Sequence, residues 1–313
     1  MLDHDKIGWA VEIACLLEIS SEKPGNVTKR KDFNDSCFED FVISAAAIGP
    51  AFRNAANVPV GETILRAVRD TRRLVGVNTN LGIVLLLAPL AKAAVLVPFG
   101  ELRPAVSTVL KELTVEDARS AYEAIRLANP AGMGIVKQYD LQETNVKINL
   151  REAMIQARDR DAVAREYATD YEITFGIGLP SLRQILEQGV GISEAVVQAF
   201  LSILAQVPDS LITRKKGMEA ANEVSGRAGR VLKHGGVFSE KGQKEIRKFD
   251  RALRVKGHAL NPGTTADLVT AALFAYLVEN DLPPLFKGRN VPAGNRPFVQ
   301  GGRKQDAADP GGR

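Results

Sequence analysis

The stretch GVNTNLGIVLLLAPLAKAAVLVPF, residues 76–99, decides how this chain is read. It opens on a small polar loop, Gly76 to Asn80, and continues as an apolar run from Ile83 to Phe99 that contains Pro89 and Lys92. A helix that is apolar all round belongs inside a protein. This one is too short to span a bilayer comfortably, which takes about 20 predominantly apolar residues. The expectation is a buried central helix whose polar start sits near the middle of the fold. An uncharged polar loop at a buried helix start needs hydrogen-bond partners, and a ligand can supply them.

Working outward, helical periodicity appears almost everywhere. Ile7, Ala10, Val11, Ala14 and Cys15 fall on one helix face, as do Phe38, Phe41, Ala45, Ile48 and Phe52 behind a capping box of Ser36 and Glu39. Thr114 with Asp117 and Asn149 with Glu152 have related cap spacings. Val196, Val197, Phe200, Leu201 and Leu204 form a stripe after Ser193, and a last helix is expected from about Thr265 to Val278. Strand signals are scarce, Val146 to Ile148 being too short to build a sheet. The expected fold class is all-α: a single multi-helix globular domain over residues 1–282, then a flexible Pro/Gly/Arg-rich tail over residues 283–313. No repeat period is visible, which argues against a solenoid.

Composition agrees with a globular chain: 313 residues, 45% hydrophobic, 25% charged and only 6% aromatic. The net charge of +4 is uneven, with 13 Lys/Arg against 5 Asp/Glu between Arg214 and Lys256, while the first 49 residues lean acidic. That asymmetry suits a polyanion held with a divalent cation, although a solvated helix surface accounts for most such charges. No aromatic residues interleave with the basic ones, so nucleic acid is not expected as a partner, nor is a membrane. Two cysteines without CxxC spacing, and no secretory signal, lead to the expectation of a reduced, cytoplasmic protein. Self-association is left open.

Four segments break the helical rhythm. In Glu18 to Val27, Glu18 continues the apolar stripe of the first helix, and Lys23-Pro24-Gly25-Asn26 has the backbone freedom to approach a ligand. In Gly76 to Gly82, Asn78 or Thr79 caps the apolar helix, and the helix start attracts anions. In Pro208 to Gly217, Asp209 precedes Arg214 and Lys215, one carboxylate with cations suited to Mg²⁺ and phosphate. In Asn261 to Asp267, Gly263 and Thr264 open the last helix, with Asp267 near capping-box spacing. Plain capping and turn formation is the structural alternative for each. Gly176-Ile-Gly178-Leu-Pro-Ser181 lacks the third glycine of a dinucleotide fingerprint, and neither a P-loop nor a GxSxG elbow is present. Three scattered histidines, His4, His234 and His258, make no zinc site.

Taken in order, these segments resemble the signature stretches of the triphosphoribosyl-dephospho-CoA synthase family. Lys23-Pro24-Gly25 matches its KPG loop and Gly76 to Thr79 its GVNT stretch, with a following glycine at Gly82. The loop around Asp209 matches an Asp-containing loop. Asn261 to Leu268, preceded by Phe249-Asp250-Arg251, matches the closing stretch. Departures are the family's His-Lys after GVNT, here Asn80-Leu81, the residues following Asp209, and the segment Asn129 to Thr174, which carries nothing that matches. The resemblance implies an all-helical transferase moving the 5-triphosphoribosyl unit of ATP onto the ribose 2′-hydroxyl of 3′-dephospho-CoA, with Mg²⁺, releasing adenine. It leaves a related cofactor precursor open as the acceptor. On that basis Asp209 and Asp267 are the expected metal ligands or bases, with Glu18 a second candidate base. Lys23, Arg214 and Lys215 are expected to hold phosphates. Gly25, Asn26, Asn78, Thr79, Asn80, Gly82, Asn261, Gly263 and Thr264 complete the ATP-binding set. A kinase-like phosphoryl transferase on the same fold and a non-catalytic nucleotide-binding protein are the alternatives.

Overall fold

Pro89 has no amide hydrogen, so a helix running through it leaves the carbonyl of Leu85 without its usual partner. The chain solves this from a distance. In the computed structural model, which describes residues 3–96, 102–130, 146–254 and 258–283, the Tyr167 hydroxyl donates to the Leu85 carbonyl at 2.6 Å. Tyr171 does the same for the Leu86 carbonyl, also at 2.6 Å. The apolar helix is therefore continuous and deeply enclosed, and both tyrosines are fully buried.

Fourteen α-helices are present among the described residues: α1 (His4–Ser20), α2 (Phe38–Arg53), α3 (Val60–Leu74), α4 (Leu81–Ala94), α5 (Leu102–Lys111), α6 (Val115–Ala128), α7 (Leu150–Ala157), α8 (Ala162–Ala168), α9 (Leu179–Glu187), α10 (Ile192–Gln206), α11 (Ser210–Lys216), α12 (Met218–Lys233), α13 (Glu240–Leu253) and α14 (Gly263–Glu279). Among those residues there is no strand, only one isolated bridge between Thr28 and Lys31. The fold is all-α. By its contacts the chain separates into Met1–Pro283 and Pro284–Arg313. The latter, expected as a flexible tail, lies outside the described residues.

Two helices make the centre. Twelve of the fourteen residues of α4 and thirteen of the seventeen of α14 are buried, too many for either to have a solvent face. They pack on each other, α1 and α10 also pack on α14, and α3 and α5 pack on α4. Lys92, the one charge in α4, sends its ammonium to the carbonyls of Ala56 at 2.7 Å and Val58 at 3.1 Å. The expected cap pairs at Thr114/Asp117 and Asn149/Glu152 are present. Two helix starts differ from expectation. α2 is capped one residue later, Asp40 accepting the Cys37 amide at 2.9 Å, and α10 begins at Ile192 with Gly191 as its cap. Residues 146–148 form no strand.

Replacing Tyr167 with Phe strands the Leu85 carbonyl, whereas Tyr171→Phe leaves the Leu86 carbonyl to the helix. Urea denaturation should show the first variant losing about 1–3 kcal/mol and the second clearly less. Equal losses would contradict this role for Tyr167.

Candidate active site

The starts of α4 and α14 meet. A β-carbon built on Gly82, in the first turn of α4, would lie 2.1 Å from Oδ2 of Asp267, which opens the second turn of α14. Only a residue without a side chain lets the Asp267 carboxylate occupy that position. An α-helix leaves its first-turn amides without internal partners and carries partial positive charge there. Two such ends are thus brought to one place, at the wall of a cavity of about 760 Å³.

All four sequence-predicted segments reach this cavity in full or in part. Gly76 to Gly82 lines it throughout; Asn261, Gly263, Thr264 and Asp267 line it from α14; and Glu18 and Asn26 line it from the N-terminal segment. The fourth contributes Arg214 and Lys215, on α11. The separate loops converge as one site.

Within the site each polar side chain has a local cause. Asn78 accepts the Leu81 amide at 3.2 Å, while the N-cap position of α4 is Asn80, whose side chain makes no cap bond. The Thr79 hydroxyl lies 2.5 Å from that of Ser44, and Asn80 donates to Thr71 at 3.1 Å. Thr264 accepts from Ser210 at 3.1 Å. Arg214 is paired with Asp161, which also caps α8 through the amides of Val163 and Ala164. Two buried polar atoms of cavity-lining residues have no hydrogen-bond partner, Nε of Arg214 and Oδ1 of Asn261. Such atoms ordinarily find a partner, and a ligand in the cavity would provide one.

Among the described residues none donates a hydrogen bond to the Asp267 carboxylate. Although it borders the cavity, it is surrounded by protein. That burial, reinforced by Glu18, Asp209 and Asp161, pushes its pKa well above the usual carboxylate range despite Arg214. Glu18 sits in the last turn of α1, where a negative charge meets the negative end of the helix. Lys23 answers it, with Nζ 2.9 Å from Glu18 Oε1. Beneath them, burial and the two carboxylates push the Cys15 thiol far up, which leaves it inert as a nucleophile.

Three predicted residues are placed behind the wall instead of in it. Lys23 is fully buried, and besides Glu18 Oε1 its ammonium donates to the Glu18 and Ser21 carbonyls, so no donor is left for phosphate. Gly25 has φ of 79° and gives its amide to Asp250 at 2.9 Å. Asp209 is 2% exposed and already saturated. Its Oδ1 accepts the Leu211 and Ile212 amides at 2.9 and 3.0 Å, and its Oδ2 accepts the Thr265 amide and hydroxyl at 2.7 and 2.8 Å. It caps α11 and also braces α14, which has no side-chain cap of its own. The roles expected of Lys23 as a phosphate ligand, and of Asp209 as a metal ligand or base, do not fit these placements, because every lone pair or proton they offer is committed.

Two residue groups have no assigned role in the sequence reading, although Asp250 belongs to the matched closing stretch and His258, three residues before Asn261, is open to a site role. Asp250, on α13, holds the 23–26 loop: besides Gly25 it binds Lys31 at 2.5 Å and Arg254 at 2.8 Å. Burial opposes its ionised form, but the Gly25 amide and the two cations outweigh it and keep its carboxyl below the usual range. Its pairing with Gly25 spans 225 residues, a separation no local pattern reveals. The second group, Phe33, Asp35 and His258, lines the cavity as well. No group of three or more His, Cys, Asp or Glu able to cage a metal exists among the described residues, and no single helix there is long and apolar enough to cross a membrane.

The fold and this cleft define a class, that of all-α enzymes with polar helix starts gathered round a deep central cavity. The chain belongs to the ATP:dephospho-CoA triphosphoribosyl transferase family, whose sequence model matches residues 4–284. It is therefore a transferase. A relative from Malonomonas rubra, provisionally assigned as a 2-(5''-triphosphoribosyl)-3'-dephosphocoenzyme-A synthase, is 23% identical over 88% of each chain. One from Azotobacter vinelandii with the same assignment is 29% identical over 74% of this chain and 76% of its own. The crystal structure from Archaeoglobus fulgidus, provisionally assigned as a triphosphoribosyl-dephospho-CoA synthase, superposes with a TM-score of 0.59 at 29% identity, covering 75% of this chain and 97% of that one.

The two central aspartates should respond oppositely to amidation. An acid whose folded pKa is raised loses stability as pH climbs from its unfolded value, near 3.9, toward its folded one, since the folded state holds the proton more tightly. Asp267→Asn removes that burden without costing a recorded hydrogen bond, so its urea midpoint at pH 7 should rise. Asp209→Asn turns one acceptor into a donor facing other donors and should cost about 2–3 kcal/mol. A loss of stability in both variants would contradict the contrast.

Proposed function

We propose that the cavity binds ATP with Mg²⁺ and transfers its 5-triphosphoribosyl unit to the 2′-hydroxyl of 3′-dephospho-CoA, releasing adenine. The observation that carries this reading is the meeting of the α4 and α14 starts at Gly82 and Asp267 on a cavity of nucleotide size. The uncommitted first-turn amides, Gly82 and Ile83 on α4 and Thr264 on α14, with Asn78, Thr79, Asn80 and Gly263 around them, suit phosphate and ribose oxygens. Arg214 and Lys215 supply the cations. Burial lowers the Lys215 pKa, a penalty that a bound polyanion would relieve.

Asp267 is the base in this scheme. Its raised pKa makes it a stronger proton acceptor than an exposed carboxylate, suited to drawing the proton from the acceptor hydroxyl. Glu18, held by Lys23, faces positive character developing at the anomeric carbon as the bond to adenine lengthens. Lys23, Gly25 and Asp209 act as positioning residues, the first by fixing Glu18, the second by tying the loop to α13, and the third by fixing the start of α14. Mg²⁺ commonly takes one or two carboxylates together with substrate phosphates. Glu18 fits that limited donor set, and bound Mg²⁺ would neutralise the triphosphate. The apolar part of the wall, including Ile125 and Met154, gives the rest of the acceptor a surface from which water is excluded.

Incubation with ATP, Mg²⁺ and 3′-dephospho-CoA should yield one adenine per acceptor consumed. Asp267→Asn should lower that rate about 100-fold or more while leaving the fold intact. Formation of ADP, or full turnover by Asp267→Asn, would overturn the scheme.

A further inference from the structure

Phe33, Asp35 and His258 border the cavity but have no part in the scheme above. Phe33 and Asp35 precede α2, and His258 precedes α14. The Phe33 and His258 rings stack with centroids 4.4 Å apart and planes 17° apart. Asp35 Oδ2 lies 3.4 Å from His258 Nε2. His258 has φ of 51°, a left-handed conformation uncommon outside glycine, and its carbonyl accepts the Asn261 amide at 3.1 Å. Such a backbone persists when its surroundings over-determine it, and it concentrates at working sites. The other two histidines are used elsewhere, His4 against the Arg53 carbonyl and His234 at the end of α12.

We propose that Phe33 fixes the ring of His258 beside the purine of ATP and that His258, as imidazolium held by Asp35, protonates adenine as it leaves. This rests on the reading of function just given. Stacking on Phe33 holds the plane of the imidazole, and its N–H bonds lie in that plane. Adenine expelled without a proton departs as an anion. Histidine is the side chain that most readily delivers a proton near neutral pH. In the step, the C1′–N9 bond breaks and its electron pair passes into the purine. The imidazolium proton goes to N7, and neutral adenine leaves. The acceptor oxygen bonds to C1′ and gives its proton to Asp267. Asp35 keeps its charge throughout and lies on the Nε2 side, which leaves Nδ1 for the purine.

The test compares ATP with 7-deaza-ATP, which has no N7 to protonate, using the full chain with Mg²⁺ and 3′-dephospho-CoA and reading release of the free base. His258→Gln should lower kcat with ATP about 100-fold. With 7-deaza-ATP the unaltered protein should already be slow, and His258→Gln should change it less than about threefold. Asp35→Asn should give a smaller loss confined to ATP. Circular dichroism checks folding, and His258→Asn replaces the Gln variant if that one does not fold. Equal fractional losses with both nucleotides would reduce His258 to a loop brace and overturn the proposal, as would undiminished turnover of ATP. Failure of the unaltered protein to release adenine from ATP would overturn the proposed function itself, a result distinct from either.

Discussion

A single buried carboxylate holds the working end of this protein together. Asp209 receives donors from two helix starts at once, the amides of Leu211 and Ile212 on α11 and the amide and hydroxyl of Thr265 on α14. Burying it is unfavourable, and desolvation pushes its pKa up even with those donors in place. The structure accepts that cost because α14 begins after Pro262 with no cap of its own. Without the brace, the first turn of α14 would have no fixed position, and neither would Thr264 and Asp267, which depend on it.

From that constraint the rest of the site follows. Once α14 starts where it does, Asp267 reaches α4, and α4 must present glycine at position 82 to make room. The start of α4 is fixed in turn by its own burial and by Tyr167, which repairs the carbonyl freed by Pro89. The loop after α1 is held by Asp250, and Glu18 is held by Lys23. Three groups at the cavity are kept under-satisfied, while the groups that position the site are fully satisfied. Asp267, Arg214 Nε and Asn261 Oδ1 fall in the first class; Asp209, Lys23 and Asp250 fall in the second. That division is what a preorganised site requires: destabilised groups at the cavity and a rigid shell behind them.

The amino-acid sequence discloses the helices and the loops but not which side of each loop faces inward. The apolar run from Ile83 settles the all-α class because a helix without a polar face has only one place to go. The loops at residues 76–82 and 261–267 stand out because small polar residues interrupt strong periodicity. Lys23 and Asp209 looked chemical for the same reason, and their commitment to structure depends on long-range bonds such as Asp209 to Thr265, 56 residues away. Asp250 and the Phe33–His258 stack were illegible for that reason also, since their partners are distant in the chain. Local cap rules placed several helix ends correctly and the start of α14 within two residues, but not the carboxylate that braces it, which comes from the start of α11.

The central claim is that the starts of α4 and α14 jointly grip one triphosphate. A crystal structure with Mg²⁺ and a non-transferable ATP analogue tests it most directly. The account predicts phosphate oxygens within hydrogen-bond distance of first-turn amides from both helices, with Arg214 alongside. A triphosphate bound by one helix alone, or outside the cavity, would contradict it.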